Sequence, residues 1–178
     1  SSPTTTPTVT PDVPRIQGVW FSDDGRSVTV RFSYATDKAG LTGGVFKCSV
    51  LFDFPGVQSA TCQWIDAASL TIFPVYTSQG SGSSNVLSPG DEVTLLGGKV
   101  RAQCKGSIAS LCLLKPAAER QMITAAGPMT PIVPIVVIRS PSIVSQCSAL
   151  PFDLTGSKGS GGRRWMSSDY SISTEPHS

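Results

Sequence analysis

The sequence predicts an all-β protein: an antiparallel β-sandwich followed by an incomplete second β unit and a flexible tail. Short segments rich in β-branched and aromatic residues recur over residues 15–118, with turn signals about every eight to twelve residues. Apolar and polar residues alternate over residues 28–34, which is typical of a strand with one buried face. Cys48 and Cys62 lie in strand-like sequence beside aromatic residues, where a disulfide can join two strands.

The first hairpin is predicted from residues 15–34. Its first strand is expected to carry Ile16, Gly18 and Trp20 on one face. Residues 22–25, Ser-Asp-Asp-Gly, predict a turn with Asp early and Gly where a positive φ is needed. The alternating residues 28–34 are predicted to form the second strand, antiparallel to the first.

The cysteines mark a second hairpin. Residues 45–54 and 61–65 are predicted to be its arms, with a turn around Pro55-Gly56. Thirteen residues lie between Cys48 and Cys62, so a disulfide can staple the two arms. Three further strands are expected at residues 69–75, 92–96 and 99–104.

Composition divides the chain into five segments. Residues 1–14 are a Pro/Thr-rich linker, and residues 15–118 form the disulfide-stapled sandwich. Residues 119–131 are predicted to be a second linker, and residues 132–163 a partial β segment. Residues 164–178 have little apolar content and are expected to form a flexible tail.

The partial segment contains strand-like sequence with too few partners. Residues 132–138 and 149–154 would expose backbone donors and an apolar face. We therefore expect them either to pack back on the first domain or to pair with a neighbouring chain by strand addition.

Charge and hydropathy limit the class of protein. Of the 178 residues 15% are charged and the net charge is +2, which provides little of the basic field that nucleic-acid-binding proteins carry. Few charges with many hydroxyl residues are typical of an extracellular or cell-surface chain. No apolar run approaches the roughly 18 residues that a membrane helix needs, so we expect no membrane insertion by this chain. The chain begins at Ser1 without a Met or signal peptide, and we expect a processed or excised fragment.

The five cysteines indicate disulfides in an oxidising compartment. Cys48 with Cys62 and Cys104 with Cys112 are two local pairs in β-like sequence, which leaves Cys147 alone. We expect Cys147 to be a buried thiol or to bond a cysteine outside this chain.

The sequence predicts neither a metal-dependent active site nor a catalytic triad. No Cys-x-x-Cys motif occurs, and the single histidine is His177 at the extreme end. A Ser-His-Asp triad would need its base held in place, so we predict no enzyme and no cofactor.

Five residues are candidate contacts for a partner. Trp20 and Trp64 are expected in the core, with a carbohydrate-stacking platform as the alternative. Arg163, Arg164 and Trp165 are expected in a solvated tail, with contact to anionic glycans or membranes as the alternative.

Several motifs occur in an order that carries a resemblance. They are residues 14–16 with the hairpin 21–32, residues 46–48 with 62–64, residues 70–72, residues 87–95, residues 131–150 and residues 152–163. Residues 152–163, Phe-Asp-Leu-Thr-Gly-Ser-Lys-Gly-Ser-Gly-Gly-Arg, are the most specific piece. Together they resemble the REJ (receptor for egg jelly) or PKD-type module of polycystin-1-like and of algal and protist cell-surface proteins.

The resemblance implies an immunoglobulin-like or fibronectin-like β architecture in a cell-surface protein. It implies adhesion, ligand recognition or assembly, without catalytic residues, and partners that are other extracellular chains. These partners would be reached by strand addition or through Cys147, and glycans are a further class. We therefore expect a non-enzymatic extracellular interaction module of a polycystin-like receptor, with a glycan-binding, lectin-like sandwich as the alternative. The sequence departs from the family after residue 172, so its second domain is expected to be truncated.

Overall fold

The computed structural model describes residues 13–76, 86–104, 115–145 and 149–159. Within them the chain is almost entirely β, with two 3₁₀ turns, Lys38–Gly40 and Cys48–Val50. The strands are β1 Ile16–Phe21, β2 Val28–Phe32, β3 Val45–Lys47, β4 Phe52–Asp53, β5 Thr61–Trp64, β6 Ser69–Phe73, β7 Glu92–Leu95 and β8 Gln121–Thr124.

The strands form two antiparallel sheets. The first sheet has the order β1-β2-β6-β5-β3, and the second has the order β4-β7-β8. Buried side chains of both sheets share one core, which confirms the predicted all-β sandwich. The chain divides into two compact units, Ser1–Pro131 and Ile132–Ser178, and both sheets lie in the first unit.

The first hairpin, β1–β2, forms as the sequence predicts. Gly25 in its turn has a φ of 70°, and its N–H donates to the Ser22 carbonyl at 2.8 Å. The Asp24 carboxylate accepts from the Ser22 hydroxyl at 2.7 Å and from the Arg26 N–H at 3.0 Å. These side-chain hydrogen bonds complete the turn that joins the two strands.

The side chains of β1 are distributed over its two faces differently from the sequence prediction. The register between β1 and β2 shifts between Ile16 and Gly18, so one extra residue is inserted there. Beyond this bulge Val19 and Phe21 are buried in the core, and Trp20 is partly exposed on the opposite face. The predicted grouping of Ile16, Gly18 and Trp20 is wrong, because one inserted residue exchanges the two faces of a strand.

Residues 45–54 do not form one arm of a hairpin, which corrects a second prediction. β3 ends at Lys47, the turn Cys48–Val50 redirects the chain, and β4 then pairs with β7 in the second sheet. β5 still pairs antiparallel with β3, with Phe46 opposite Cys62. The segment therefore crosses from one sheet to the other, as strands do at the corners of some sandwiches.

The predicted linker 119–131 contains a strand. β8 pairs along β7, with Val93 opposite Ile123 and Leu95 opposite Gln121. In the predicted strand 99–104, by contrast, Arg101 and Ala102 form isolated bridges only. The second sheet is therefore completed by the segment that the sequence assigns to a linker.

The chain around β8 also covers the outer edge of β1. The Gln121 side chain accepts from the Ile16 N–H through Oε1 and donates to the Ile16 carbonyl through Nε2, both at 2.9 Å. Phe21 N–H donates to the Ala126 carbonyl at 3.0 Å, and Ala126 N–H donates to the Val19 carbonyl at 2.8 Å. These bonds occupy backbone groups that an edge strand otherwise presents to solvent.

The second unit contains a short antiparallel ladder in its described part. It consists of the isolated bridges Ile135–Lys158 and Arg139–Asp153, so the predicted strand 132–139 is present as two bridge residues and not as a continuous strand. Between them the Ser157 hydroxyl accepts from the Val137 N–H at 3.0 Å and donates to the Val137 carbonyl at 3.3 Å. The predicted flexible tail, 164–178, and residues 1–12 of the predicted linker lie outside the described residues.

Candidate functional site

The Cys48–Cys62 disulfide is present, with an S–S distance of 2.03 Å. Both cysteines are fully buried, and the Cys48 N–H donates to the Ala60 carbonyl at 3.3 Å. Cys48 directly follows β3 at the point where the chain leaves the first sheet, and Cys62 lies in β5. The bond therefore fixes the sheet-crossing segment to the first sheet.

Cys104 is also disulfide-bonded. Cys112 and Cys147 lie outside the described residues, so the pairing of Cys104 with Cys112 and the state of Cys147 stay predictions. Arg163, Arg164 and Trp165 lie outside the described residues as well.

Trp64 belongs to the core. It is 9% exposed, and its ring centroid lies 5.6 Å from that of Phe32. Its indole Nε1 is buried without a hydrogen-bond partner in the described part of the chain. A carbohydrate cannot stack on a ring in this position, so the alternative role suggested for Trp64 is wrong.

Trp20 lies on the outer face of the first sheet, where it is partly exposed. Its ring covers Gly18: a β-carbon at that glycine would come within 3.0 Å of the Trp20 Cζ3. The ring therefore lies against the sheet in the space that a side chain at position 18 would fill.

A straight row of side chains crosses all strands of the first sheet from Trp20. Trp20 is opposite Thr29, Thr29 is opposite Thr71, Thr71 is opposite Gln63, and Gln63 is opposite Val45. We call these five residues the outer row. Sequence reasoning missed the row because alternation tells which residues share a face of one strand, whereas register decides which residues of different strands meet.

The second unit presents apolar side chains to solvent. Among the residues of the predicted strand 132–139, Ile135 is 62% exposed, Val136 is 65% exposed and Ile138 is 56% exposed. Val137 is partly buried, and its Cγ1 would lie 3.1 Å from a β-carbon added at Gly156. Apolar residues on both faces are typical of a strand covered on both sides, so this strand has more apolar surface than its described neighbours cover.

An acidic groove lies beside β4 and β7. Asp53, Asp91 and Glu92 line it, together with Phe54, Pro55, Gly90 and Thr94. The Asp91 carboxylate accepts from the Ser88 N–H at 2.8 Å, which makes it part of the turn before β7. In the described ranges no group of three or more His, Cys, Asp or Glu residues could hold a metal ion.

Three carboxyl groups of the described residues have lowered pKa values, and each lies in or directly before a turn or bend. The Ser22 hydroxyl lowers the pKa of Asp24, the Ala68 N–H lowers that of Asp66, and the Thr155 hydroxyl lowers that of Asp153. These hydrogen bonds favour the charged form of each carboxyl, and the charged form in turn holds its turn closed.

Comparison of the chain with protein-family models, with curated proteins and with solved structures finds no match. A search of the described residues for a helix long and apolar enough to cross a membrane also finds none. The disulfide remains the feature that indicates an oxidising environment of the extracellular type.

Proposed function

We propose that the chain is a non-enzymatic extracellular module that binds other protein chains through the extended apolar segment 132–138 of its second unit. The observation that carries this proposal is the apolar segment 132–138, which is exposed on both faces. Removal of such a surface from water favours association, and the lost freedom of the two partners offsets part of that gain.

Strand addition is the mode of binding that this segment favours. Its N–H groups at Ile135 and Arg139 pair with residues 158 and 153, whereas the outward apolar side chains remain available to a partner. An incoming strand would pair with backbone groups and cover these side chains in the same step. A second copy of the chain is the simplest partner, because it presents the same strands.

Two further features support an extracellular adhesion or assembly role. The buried disulfide is of the kind that persists in oxidising compartments. The ordered motifs that resemble the REJ or PKD-type module lead us to propose a cell-surface protein such as a polycystin-like receptor as the parent.

The test is sedimentation velocity of the full chain over a wide concentration range. Ile138→Lys places a charge in the exposed strand, and Ile143→Lys is the matched control because Ile143 is 88% exposed outside the ladder. We expect the wild type and Ile143→Lys to associate and Ile138→Lys to remain monomeric. Equal behaviour of all three proteins would contradict pairing through this strand.

A second candidate function is carbohydrate binding. The partly exposed ring of Trp20 favours it, because indole rings stack on the apolar faces of sugars, and this ring covers Gly18 on the outer face of the sheet.

A further inference from the structure

We propose that the outer face of the first sheet binds an oligosaccharide that carries acidic sugars, with Trp20 as the stacking surface and Arg31 as the contact for the sugar carboxylate. This inference rests on the second candidate function, carbohydrate binding, and gives it a site and a ligand class.

Trp20 supplies the apolar contact. The absence of a side chain at Gly18 lets the ring lie over the strand, and the bulge between Ile16 and Gly18 places it outside the core. A ring supported on one face by backbone loses little conformational freedom when a ligand covers its other face. This rigidity is what makes tryptophan effective in binding sites.

The outer row supplies hydrogen-bonding groups beside the ring. Thr29, Thr71 and Gln63 follow Trp20 on successive strands, and all three are partly exposed. Within the described residues none of their side chains is hydrogen-bonded to another protein group. With strands about 4.8 Å apart, the row is roughly 19 Å long, which suits an extended chain of several sugars.

Charge on this face favours an anionic ligand. Arg31 is exposed and its Cα is directly opposite Gly18, the residue that the Trp20 ring covers, so the Arg31 side chain leaves β2 next to that ring. Lys47 adds a second positive charge on β3. The residues of the first sheet, β1, β2, β3, β5 and β6, include no Asp or Glu.

Arg31 is not engaged in an ion pair. The one ion pair of the described chain joins Arg26 to Asp24 at 3.7 Å. The charge of Arg31 contributes to the lowered pKa of Asp66. The largest cause of that lowered pKa is the hydrogen bond from the Ala68 N–H, and Arg31 is the smallest. The Arg31 guanidinium therefore keeps its donors for a planar carboxylate, which it can bind bidentately.

The experiment uses the full chain on an array of uronic-acid and sialic-acid oligosaccharides, each printed beside its carboxyl-reduced counterpart. Trp20→Ala removes the ring, and Arg31→Gln removes the charge at an exposed position. Met122→Ala is the control, since Met122 is an apolar residue, 54% exposed, on β8 of the second sheet. Thermal unfolding of each variant shows that it is folded.

We expect the wild type and Met122→Ala to prefer acidic oligosaccharides over their reduced counterparts. Trp20→Ala should weaken binding of both forms about tenfold or more, as loss of a central aromatic contact does. Arg31→Gln should bind the acidic and the reduced forms equally, which tests the site even where Trp20→Ala unfolds.

Three results would overturn the proposal. They are a wild type that binds no acidic oligosaccharide, a preference for acidic sugars that survives Arg31→Gln, and equal losses in Met122→Ala and folded Trp20→Ala. The first result would exclude binding of acidic oligosaccharides by this chain. The other two would leave carbohydrate binding standing and exclude this site, and none bears on association through residues 132–138.

Discussion

Gly159 is a position where a single added methyl group would disturb the second unit. It has a φ of +91°, and a β-carbon there would lie 2.8 Å from the Pro134 Cα and 3.2 Å from the Val133 carbonyl oxygen. Both neighbours are backbone atoms, which cannot move aside as the end of a flexible side chain can. We therefore expect Gly159→Ala to open the ladder that joins Ile135 to Lys158.

Hydrogen exchange of the Ile135 and Lys158 amides in the full chain measures this effect. Protection should fall in Gly159→Ala and be kept in the control Gly43→Ala, because a β-carbon at Gly43 meets nothing within 4 Å. Equal protection in the two variants would show that Gly159 does not constrain the second unit.

Asp24 provides a pH-dependent test of the first turn. The Ser22 hydroxyl and the Arg26 N–H lower the pKa of its carboxyl below the ordinary value of 3.8. Because the folded pKa is lowered, the carboxylate stabilises the fold fully above the unfolded pKa, and this contribution is lost as pH falls through the folded pKa.

An NMR titration of side-chain carboxyl carbons should show this shift and its main cause. We expect the Asp24 midpoint to lie below 3.8 in the wild type and to rise in Ser22→Ala, which lacks the hydroxyl donor. The midpoint of Asp66 should not change in Ser22→Ala, since its main donor is the Ala68 N–H. A wild-type Asp24 midpoint at or above 3.8 would contradict the hydrogen bonding of the turn.

At the scale of elements, β8 joins the two sheets at one side of the sandwich. It pairs with β7 through its backbone and reaches β1 through the Gln121 side chain. Replacing Gln121 by Met keeps the length of the side chain but removes both hydrogen bonds to Ile16. We expect a loss of about 1 kcal/mol in the free energy of unfolding, because backbone groups of Ile16 lose their partner.

Urea unfolding of the full chain measures that loss. The neighbouring Met122 is 54% exposed, and Met122→Ala should change the free energy of unfolding by less than about 0.5 kcal/mol. If Gln121→Met proves as mild as Met122→Ala, the side chain does not secure the edge of β1.

Local sequence patterns predict some of these elements and not others. Alternation over residues 28–34 locates β2, and the Ser-Asp-Asp-Gly turn places the hairpin, since both signals are local. The sequence signal for β8 is weak because its residues, Gln-Met-Ile-Thr, do not alternate between polar and apolar types. In the structure Met122 and Thr124 are exposed, and the inward residue Ile123 is partly buried.

Two other features depend on contacts that a linear pattern does not contain. The bulge in β1 exchanges the faces of Val19 and Trp20, and Gly18, the residue of the bulge that is unusual in a strand, does not by itself tell which side chains change face. The break after Lys47 divides the strand-like segment 45–54 between the two sheets, because β3 pairs with β5 and β4 pairs with β7. The outer row depends in the same way on the register of all five strands of the first sheet.

At the scale of the whole molecule, the stapled core is the part that the sequence predicts best. Cysteine spacing and neighbouring aromatic residues predicted the Cys48–Cys62 bond, and the structure confirms it. The candidate surfaces were harder to predict. Trp20 was expected in the core, with a carbohydrate contact as the alternative, and its place in the core is wrong because the ring is partly exposed. Strand register then places Thr29, Thr71, Gln63 and Arg31 on the same face.

Removal of the Cys48–Cys62 bond should cost much of the stability of the first unit. The cysteines are 14 residues apart, and closing a loop of that size removes roughly 3 kcal/mol of unfolded-state entropy. We expect the double variant Cys48→Ala, Cys62→Ala to lose about that much in urea unfolding. Reductant should destabilise the wild type at least equally, because the disulfide at Cys104 is reduced as well.

Mass spectrometry of peptides from the unreduced protein, secreted from cells, is the most direct measurement. The stapled extracellular sandwich predicts one linked peptide pair that joins Cys48 to Cys62, with a second link at Cys104. Free thiols at Cys48 and Cys62, or either of them linked to another cysteine, would contradict it.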